Sequence, residues 1–287
     1  MEFWLVTTDH LTDRIWFRDE EDFKMGMNLV AVLAVALKVN VLAFILMSNH
    51  VHFVFHCSRG QAERFMEEYK KRYSQYVNNK YGTKELLRRI HVDIKPIDGM
   101  DESLERAIAY VQMNGVAAGI CLNPEAYPWG TGSSFFKVLQ TKGQRIGTLS
   151  NRARKRLLHS TLPLPPQFMV GEDGYVIPNS YVNVDLVETV FRTPKRLNWF
   201  LQNSSKAKRR LASDDPAVPS FRDQLVQAAV PELCRSLFRK QSFAELNREE
   251  QAETFRQLRF RFSANIYQLA RVTGIPYETI ASLINGL

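Results

Sequence analysis

His50 and His52 stand two residues apart in the alternating segment HVHFVFH. On a strand both imidazoles leave one face, while Val51, Phe53 and Phe55 leave the other. Two imidazoles side by side form half of a divalent-metal site. The same pair can also serve ordinary hydrogen bonding, and the spacing alone leaves both readings open. Tyr110 and Asn114 are a second pair, four residues apart in a segment that reads as a helix, so they stack on one helical face. If that face packs beside the histidines, Asn114 offers a carbonyl oxygen as third ligand and Tyr110 presents its phenol to whatever the metal holds. An amphipathic core tyrosine followed by a helix-terminal asparagine is the plainer alternative. His56 and His91 fit the metal pair less well, since one lies four residues beyond His52 and the other sits on a separate strand.

The elements that must position these groups follow from periodicity. Glu2 to Thr8 reads as a strand rich in aromatic and β-branched residues. Asp19 to Lys38 opens with an acidic cluster and continues as an apolar helix. Val39 to Met47 is a short buried strand, Ser48-Asn49 a tight turn, and His50 to His56 the returning strand of a hairpin. Gln61 to Gly82 is a polar, aromatic-studded helix that stops at glycine. Arg89 to Ile97 alternates as another strand, and Ser103 to Ile120 is the helix of Tyr110. The order β-α-β-β-α-β-α implies an α+β fold, a ferredoxin-like antiparallel sheet with helices packed on it.

Three stretches, holding four motifs, also carry a family resemblance. MSNHVHFVF, YKKRYSQYVNNKYG, YVQMNGVAAGICLNPEAYPWG and the TGS that follows resemble the ordered motifs of the tyrosine HUH transposases. The likeness is to the insertion-sequence-200 type, and among these to the REP-associated tyrosine transposases. Members show a PNHVH-like hairpin, a helix ending in N-x-x-[YF]-G, a YIxxNPVxAGL helix and a YPWSS tail. The likeness spans about residues 1–135 and rests on motif order and distance, because each motif is weak alone. It implies a metal pair at His50 and His52, a third ligand at Asn114 and a nucleophile at Tyr110. The implied cofactor is Mg²⁺ or Mn²⁺, with imidazole ligands favouring Mn²⁺ in affinity. The implied reaction is single-strand DNA cleavage and joining through a 5′-phosphotyrosine, acting on hairpin-bearing DNA. Gly115 stands where the family has proline, and the segment from Thr83 to Ile97 matches its pattern poorly.

Lys70, Lys71, Arg72 and Tyr73 interleave cations and an aromatic ring, a pattern that suits the phosphates and bases of a single strand. The charge is divided along the chain. Residues 1–140 carry 16 Lys/Arg against 17 Asp/Glu, and residues 141–287 carry 22 against 13. A basic half joined to a neutral one suggests an appended polyanion-binding surface. IYQLARVTGIPYETIASLI is similar to a helix-turn-helix near 266–285, with Gly274 in the turn and Arg271 and Thr279 as DNA contacts. Lys208, Arg209 and Arg210 offer phosphate contacts upstream. The expected organisation is therefore a nuclease domain over 1–137, a linker over 138–170 marked by LPLPP, and a basic helical DNA-binding region over 171–287.

The 287 residues are 45% hydrophobic and 24% charged, with only 14 Gly and 12 Pro, which excludes disordered and collagenous classes. Three scattered cysteines, Cys57, Cys121 and Cys234, argue against a disulfide framework or cysteine-zinc site and suit a reducing cytoplasm, with DNA placing the protein at the nucleoid. No basic n-region opens the chain, and Lys38 and Asn40 split the apolar run from Met27 to Met47 into pieces too short to span a membrane. A homodimer and a monomer are both compatible with the sequence. The rival readings are a non-catalytic DNA-binding regulator and, less well matched to a basic C-terminal half, a hydrolase of small phosphates.

Overall fold

The computed structural model describes residues 1–8, 15–83, 87, 90–137, 142–204, 223–262, 264 and 266–285. Strands β1 (Glu2–Thr8), β2 (Asn40–Met47), β3 (His50–Cys57) and β4 (Val92–Ile97) form one antiparallel sheet in the order β2-β3-β1-β4. Helix α1 (Glu20–Ala36) connects β1 to β2, and α2 (Arg59–Tyr81) connects β3 to β4. This is the mixed α/β layer expected from the periodicity, with element bounds within a few residues of those read from sequence.

One face of the sheet is sealed by α2. Phe53 packs on Phe65 and Tyr69 at ring distances of 5.5 and 5.9 Å, and Phe55 on Phe65 at 4.8 Å. Helix α2 begins at a capping box in which Ser58 and Gln61 satisfy each other's backbone N–H, and it ends at Gly82 in the left-handed region, φ 65°. Asp19 caps α1 by accepting from the Asp22 N–H. Helix α1 lies so close to its neighbours that a Cβ on Gly26 would sit 2.6 Å from Phe17 Cε1 and 2.9 Å from Leu46 Cδ1.

The opposite face receives α3 (Glu102–Gln112), which packs on β2 and β3. The single helix expected from Ser103 to Ile120 is interrupted at Met113 and resumes as the short α4 (Asn114–Ala117). The Asn114 side-chain Nδ2 donates to the carbonyls of Tyr110 and Val111 at 2.8 and 3.1 Å, taking acceptors that a continuous helix would give to backbone N–H groups.

The expected linker is not a linker over the described part of 138–170. Strands β5 (Gly143–Arg145) and β6 (Met169–Gly171) pair, and α5 (Asn151–Leu158) lies between them in sequence. Ile146, Leu158, Leu164, Phe168, Val170 and Val176 pack on Ala31 and Val32 of α1. The buried Asn28 side chain ties the layer down, donating to the Leu157 carbonyl at 3.0 Å and accepting from the Val176 N–H at 2.8 Å. These apolar residues are irregularly spaced, so they show neither a helical nor a strand period.

Helices α6 (Val184–Phe191) and α7 (Pro194–Gln202) also join the main core, through Val187, Phe191, Leu197 and Phe200. They break at Arg192 and Thr193, as Pro194 implies. The main body therefore extends to residue 204, beyond the boundary composition suggested. Helices α8 (Asp223–Phe238), α9 (Arg248–Phe262), α10 (Ile266–Thr273) and α11 (Tyr277–Asn285) build a second core around Val226, Leu233, Phe255, Leu258, Leu269 and Ile280, which Ile15 joins. Pro231 lies inside α8 without ending it. Among the described residues no helix is long and apolar enough to cross a membrane.

Candidate active site

The β2–β3 hairpin sets the histidines. Met47 pairs with His50 and Ile45 with His52 across the tight Ser48-Asn49 turn. With Phe53 and Phe55 committed to α2, the period of two sends His50 and His52 to the α3 face. Both are buried, and their rings meet edge to face with centroids 4.8 Å apart. Asn49 Oδ1 lies 2.9 Å from His50 Nδ1. An amide oxygen only accepts, so Nδ1 donates in this contact, and in the neutral ring that leaves Nε2 as the basic nitrogen, the form in which imidazole binds a metal.

Helix α3 brings Tyr110 to this pair. Its ring lies 5.7 Å from that of His52, nearly perpendicular at 89°. Two contacts fix the helix. Asp101 caps its first turn through the Ser103 N–H, and the buried Glu105 carboxylate takes Arg196 of α7 at 2.5 and 2.8 Å. Asn114 follows one turn after Tyr110 and is buried. With its Nδ2 tied to the helix, Oδ1 is the atom it has for a cation. Gly115 is tightly enclosed, since a Cβ there would meet Cys121 Sγ at 3.2 Å and the Tyr127 ring at 3.3 Å.

The Tyr127-Pro128-Trp129 segment runs along β2. Leu46 N–H donates to the Trp129 carbonyl at 2.8 Å, Thr131 N–H to the Phe44 carbonyl at 3.0 Å, and the Tyr127 hydroxyl to the Leu46 carbonyl at 2.7 Å. These bonds cover the outer edge of the strand that precedes the histidines.

Among the described residues no three His, Cys, Asp or Glu side chains gather as a metal cluster. A divalent ion at the histidines would draw on two imidazoles and neutral oxygen, with water completing the shell. That donor set fits Mn²⁺ or Mg²⁺ in an open site and does not fit a closed structural zinc site. Sequence reasoning missed two charged residues on this face. Thr7 pairs with His52 on one side and with Asp93 on the other, so Asp93 lies on the histidine face two strands away. Lys95, the next residue on that face, pairs with Asp93 at 2.6 Å. The alternation of VDIKPI was the available signal.

The expected DNA contacts fare unequally. Lys71 is exposed, 3.6 Å from Glu68, and Arg72 pairs with Glu68 at 3.0 Å. Lys70 is partly buried, its ammonium held 2.9 Å from the Ile90 carbonyl, and burial lowers its pKa. Tyr73 is not at a surface. It is fully buried and its hydroxyl donates to the Trp16 carbonyl at 2.7 Å. Phe65, Tyr69, Tyr73 and Val77 share the core stripe of α2, and that period outweighs the flanking cations. His56 stacks on Phe3 at 4.5 Å, and desolvation lowers its pKa.

In the C-terminal helices, α10 and α11 are joined by a short turn with Gly274 at φ 73°. Thr279 is exposed on α11. Arg271 instead faces inward, its guanidinium on the buried Asp223 carboxylate at 2.9 and 3.1 Å. Lys208, Arg209 and Arg210 lie outside the described residues.

Comparison with known proteins bears on the same region. Residues 14–91, which hold α1, the hairpin and α2, match the model of the family described as "Transposase IS200 like". This is the family that the motifs resemble. A solved structure described as a REP-associated tyrosine transposase bound to a REP hairpin is similar at 15% identity, covering 45% of this chain and 76% of that chain with a TM-score of 0.39. No curated protein matches the sequence.

Proposed function

We propose that this protein is a tyrosine-dependent DNA strand transferase acting in DNA transposition. The observation that carries the reading is the ring of Tyr110, perpendicular to that of His52 at 5.7 Å with His50 alongside. The family match over residues 14–91 supports a transposase role. A phosphodiester resists nucleophiles because its oxygens are anionic. A divalent ion held by His50, His52 and Asn114 Oδ1 would polarise the scissile phosphate and neutralise the charge that develops there.

The chain's own residues do the rest. Asn49 holds the His50 tautomer, and the buried hairpin limits the freedom of both rings. The Tyr110 oxygen attacks phosphorus, giving up its proton as the Tyr–O–P bond forms. The P–O3′ bond breaks, and the departing 3′ oxygen takes up a proton. The 5′-phosphotyrosine conserves the bond, so a 3′-hydroxyl can reverse the step on the same or another strand without ATP.

The test uses the full chain, hairpin-flanked single-stranded DNA and Mn²⁺, with products run under denaturing conditions. A denaturant-resistant protein–DNA band is expected from the wild type and from no Tyr110→Phe sample. DNA binding without a band in the wild type would replace this reading with that of a non-catalytic DNA-binding regulator.

A further inference from the structure

A second region of the molecule, on the far side of the sheet from the histidines, concentrates positive charge. Residues 126–171 contain seven Lys/Arg and no Asp or Glu. Four of those cations fall in α5, NRARKRLL. The helix is held with its apolar side inward, through Leu158 against α1 and the Asn28 bond to the Leu157 carbonyl. That orientation leaves Arg152, Lys155 and Arg156 exposed. They are spaced i, i+3 and i+4 and so share one face. Among the described residues no carboxylate lies within 4 Å of any of the three, whereas nearby Lys24 pairs with Glu21 and Arg72 with Glu68.

The end of α5 also borders a recess. A cavity of about 430 Å³ lies between α1, α2 and His159, lined by Lys71, Gln75, Asn79 and Ser160 among others. A second, of about 350 Å³, is bordered by Arg156 and shares Met25, Tyr76 and His159 with the first. Glu68 and Glu21 also line these recesses, each paired with a cation, Arg72 and Lys24. With those carboxylates paired, the cations on the ridge and the amide and hydroxyl groups beside it supply charge and hydrogen bonds to phosphate oxygens.

We propose that the exposed face of α5 and its groove with α2 seat the phosphate backbone of a DNA duplex stem, a site separate from the Tyr110 centre. The inference rests on the reading of the protein as one that processes DNA. Duplex is favoured over single strand because the α5 face carries cations and no aromatic ring, whereas single-strand seats stack bases on exposed aromatics. The Tyr76 ring in this groove is already engaged, by His159 at 5.4 Å and by the Lys80 ammonium over it at 5.6 Å.

The test is equilibrium binding of the full chain to a DNA hairpin and to an unstructured strand of equal length, across a series of salt concentrations. The variant is R152Q/K155Q/R156Q, three exposed positions. Losing three phosphate contacts should make the log–log salt slope for the hairpin shallower by about 2.7 and weaken binding on the order of a hundredfold at physiological salt. Affinity for the unstructured strand should change little. The charge-preserving R152K/R156K variant should keep the wild-type slope, which separates charge loss from misfolding. An unchanged hairpin slope in the triple variant overturns the proposal, and an equal loss on both DNAs overturns the duplex assignment. The Tyr110 adduct is scored separately. Loss of stem binding in the variant together with no adduct in the wild type would sink the strand-transfer reading and leave this site standing.

Discussion

Arg271→Ala separates the two roles this residue has been given. As a helix-turn-helix contact it would cost DNA affinity and leave stability alone. The structure places it differently. Asp223 is 3% exposed and receives four bonds: Arg271 Nε at 2.9 Å and Nη2 at 3.1 Å, Gln268 Nε2 at 3.0 Å and Ser48 Oγ at 2.5 Å. Removing one partner of a buried ion pair costs about 3–5 kcal/mol when the remaining charge is left bare. Here Ser48 and Gln268 still donate, so a loss of about 2–3 kcal/mol is expected. Ser48 opens the turn that carries His50, and its carbonyl accepts from Trp16 and Phe17 N–H, so the defect also loosens the histidine hairpin. Urea unfolding followed by tryptophan fluorescence reads the loss. The double variant Asp223→Asn/Arg271→Met, which removes both charges, should recover more than half of it. A single variant with wild-type stability and a selective fall in DNA affinity would refute the reasoning.

Two further predictions concern α2. Tyr73→Phe should cost about 1–3 kcal/mol, because it leaves the buried Trp16 carbonyl without the hydroxyl 2.7 Å away, and DNA affinity measured on the folded variant should be unchanged. The cluster of Lys80, Asp19, Asp22 and Tyr81, which ties the end of α2 to the start of α1, should shape the pH dependence of stability. Burial pulls the Asp19 carboxyl up, but hydrogen bonds from Lys80, the Asp22 N–H and Tyr81 outweigh it and hold the pKa below its usual 3.8. Its contribution is complete above that value and lost as pH falls through the lower folded value. Burial pulls Lys80 down, but its bonds to Asp19 and Asp22 win and raise it above 10.5. Its contribution is complete below 10.5 and lost only as pH rises through the raised value. Denaturation across pH should show a plateau between these limits, and Lys80→Met should flatten the acid limb. An acid limb of unchanged depth in that variant would count against the cluster.

The first 135 residues were legible because local signals agree there. HVHFVFH alternates, and Ser58 and Gly82 bound a helix. The helix and strand periods left the placement of Tyr110 beside His52 open, and only the family resemblance implied it. Long-range packing decided matters that local signals could not, within this stretch as well as beyond it. Leu164 in the proline-rich LPLPP segment reads as linker, yet it is buried against α1, well over a hundred residues away in sequence. Arg271 reads as a surface cation until Asp223 is seen beneath it. Tyr73 has cations beside it in the chain, but the stripe it shares with Phe65, Tyr69 and Val77 is what turns it to the core. The interruption at Met113 was hidden because Asn114 satisfies the helix carbonyls with its side chain, which no propensity reports.

The most direct test of the central claim is to digest the denaturant-resistant protein–DNA adduct and locate the modified residue by mass spectrometry. The nucleotide should be found as a 5′-phosphate ester on the peptide that contains Tyr110. A phosphate on Tyr76 or any other side chain, or a 3′-linked nucleotide, would contradict it.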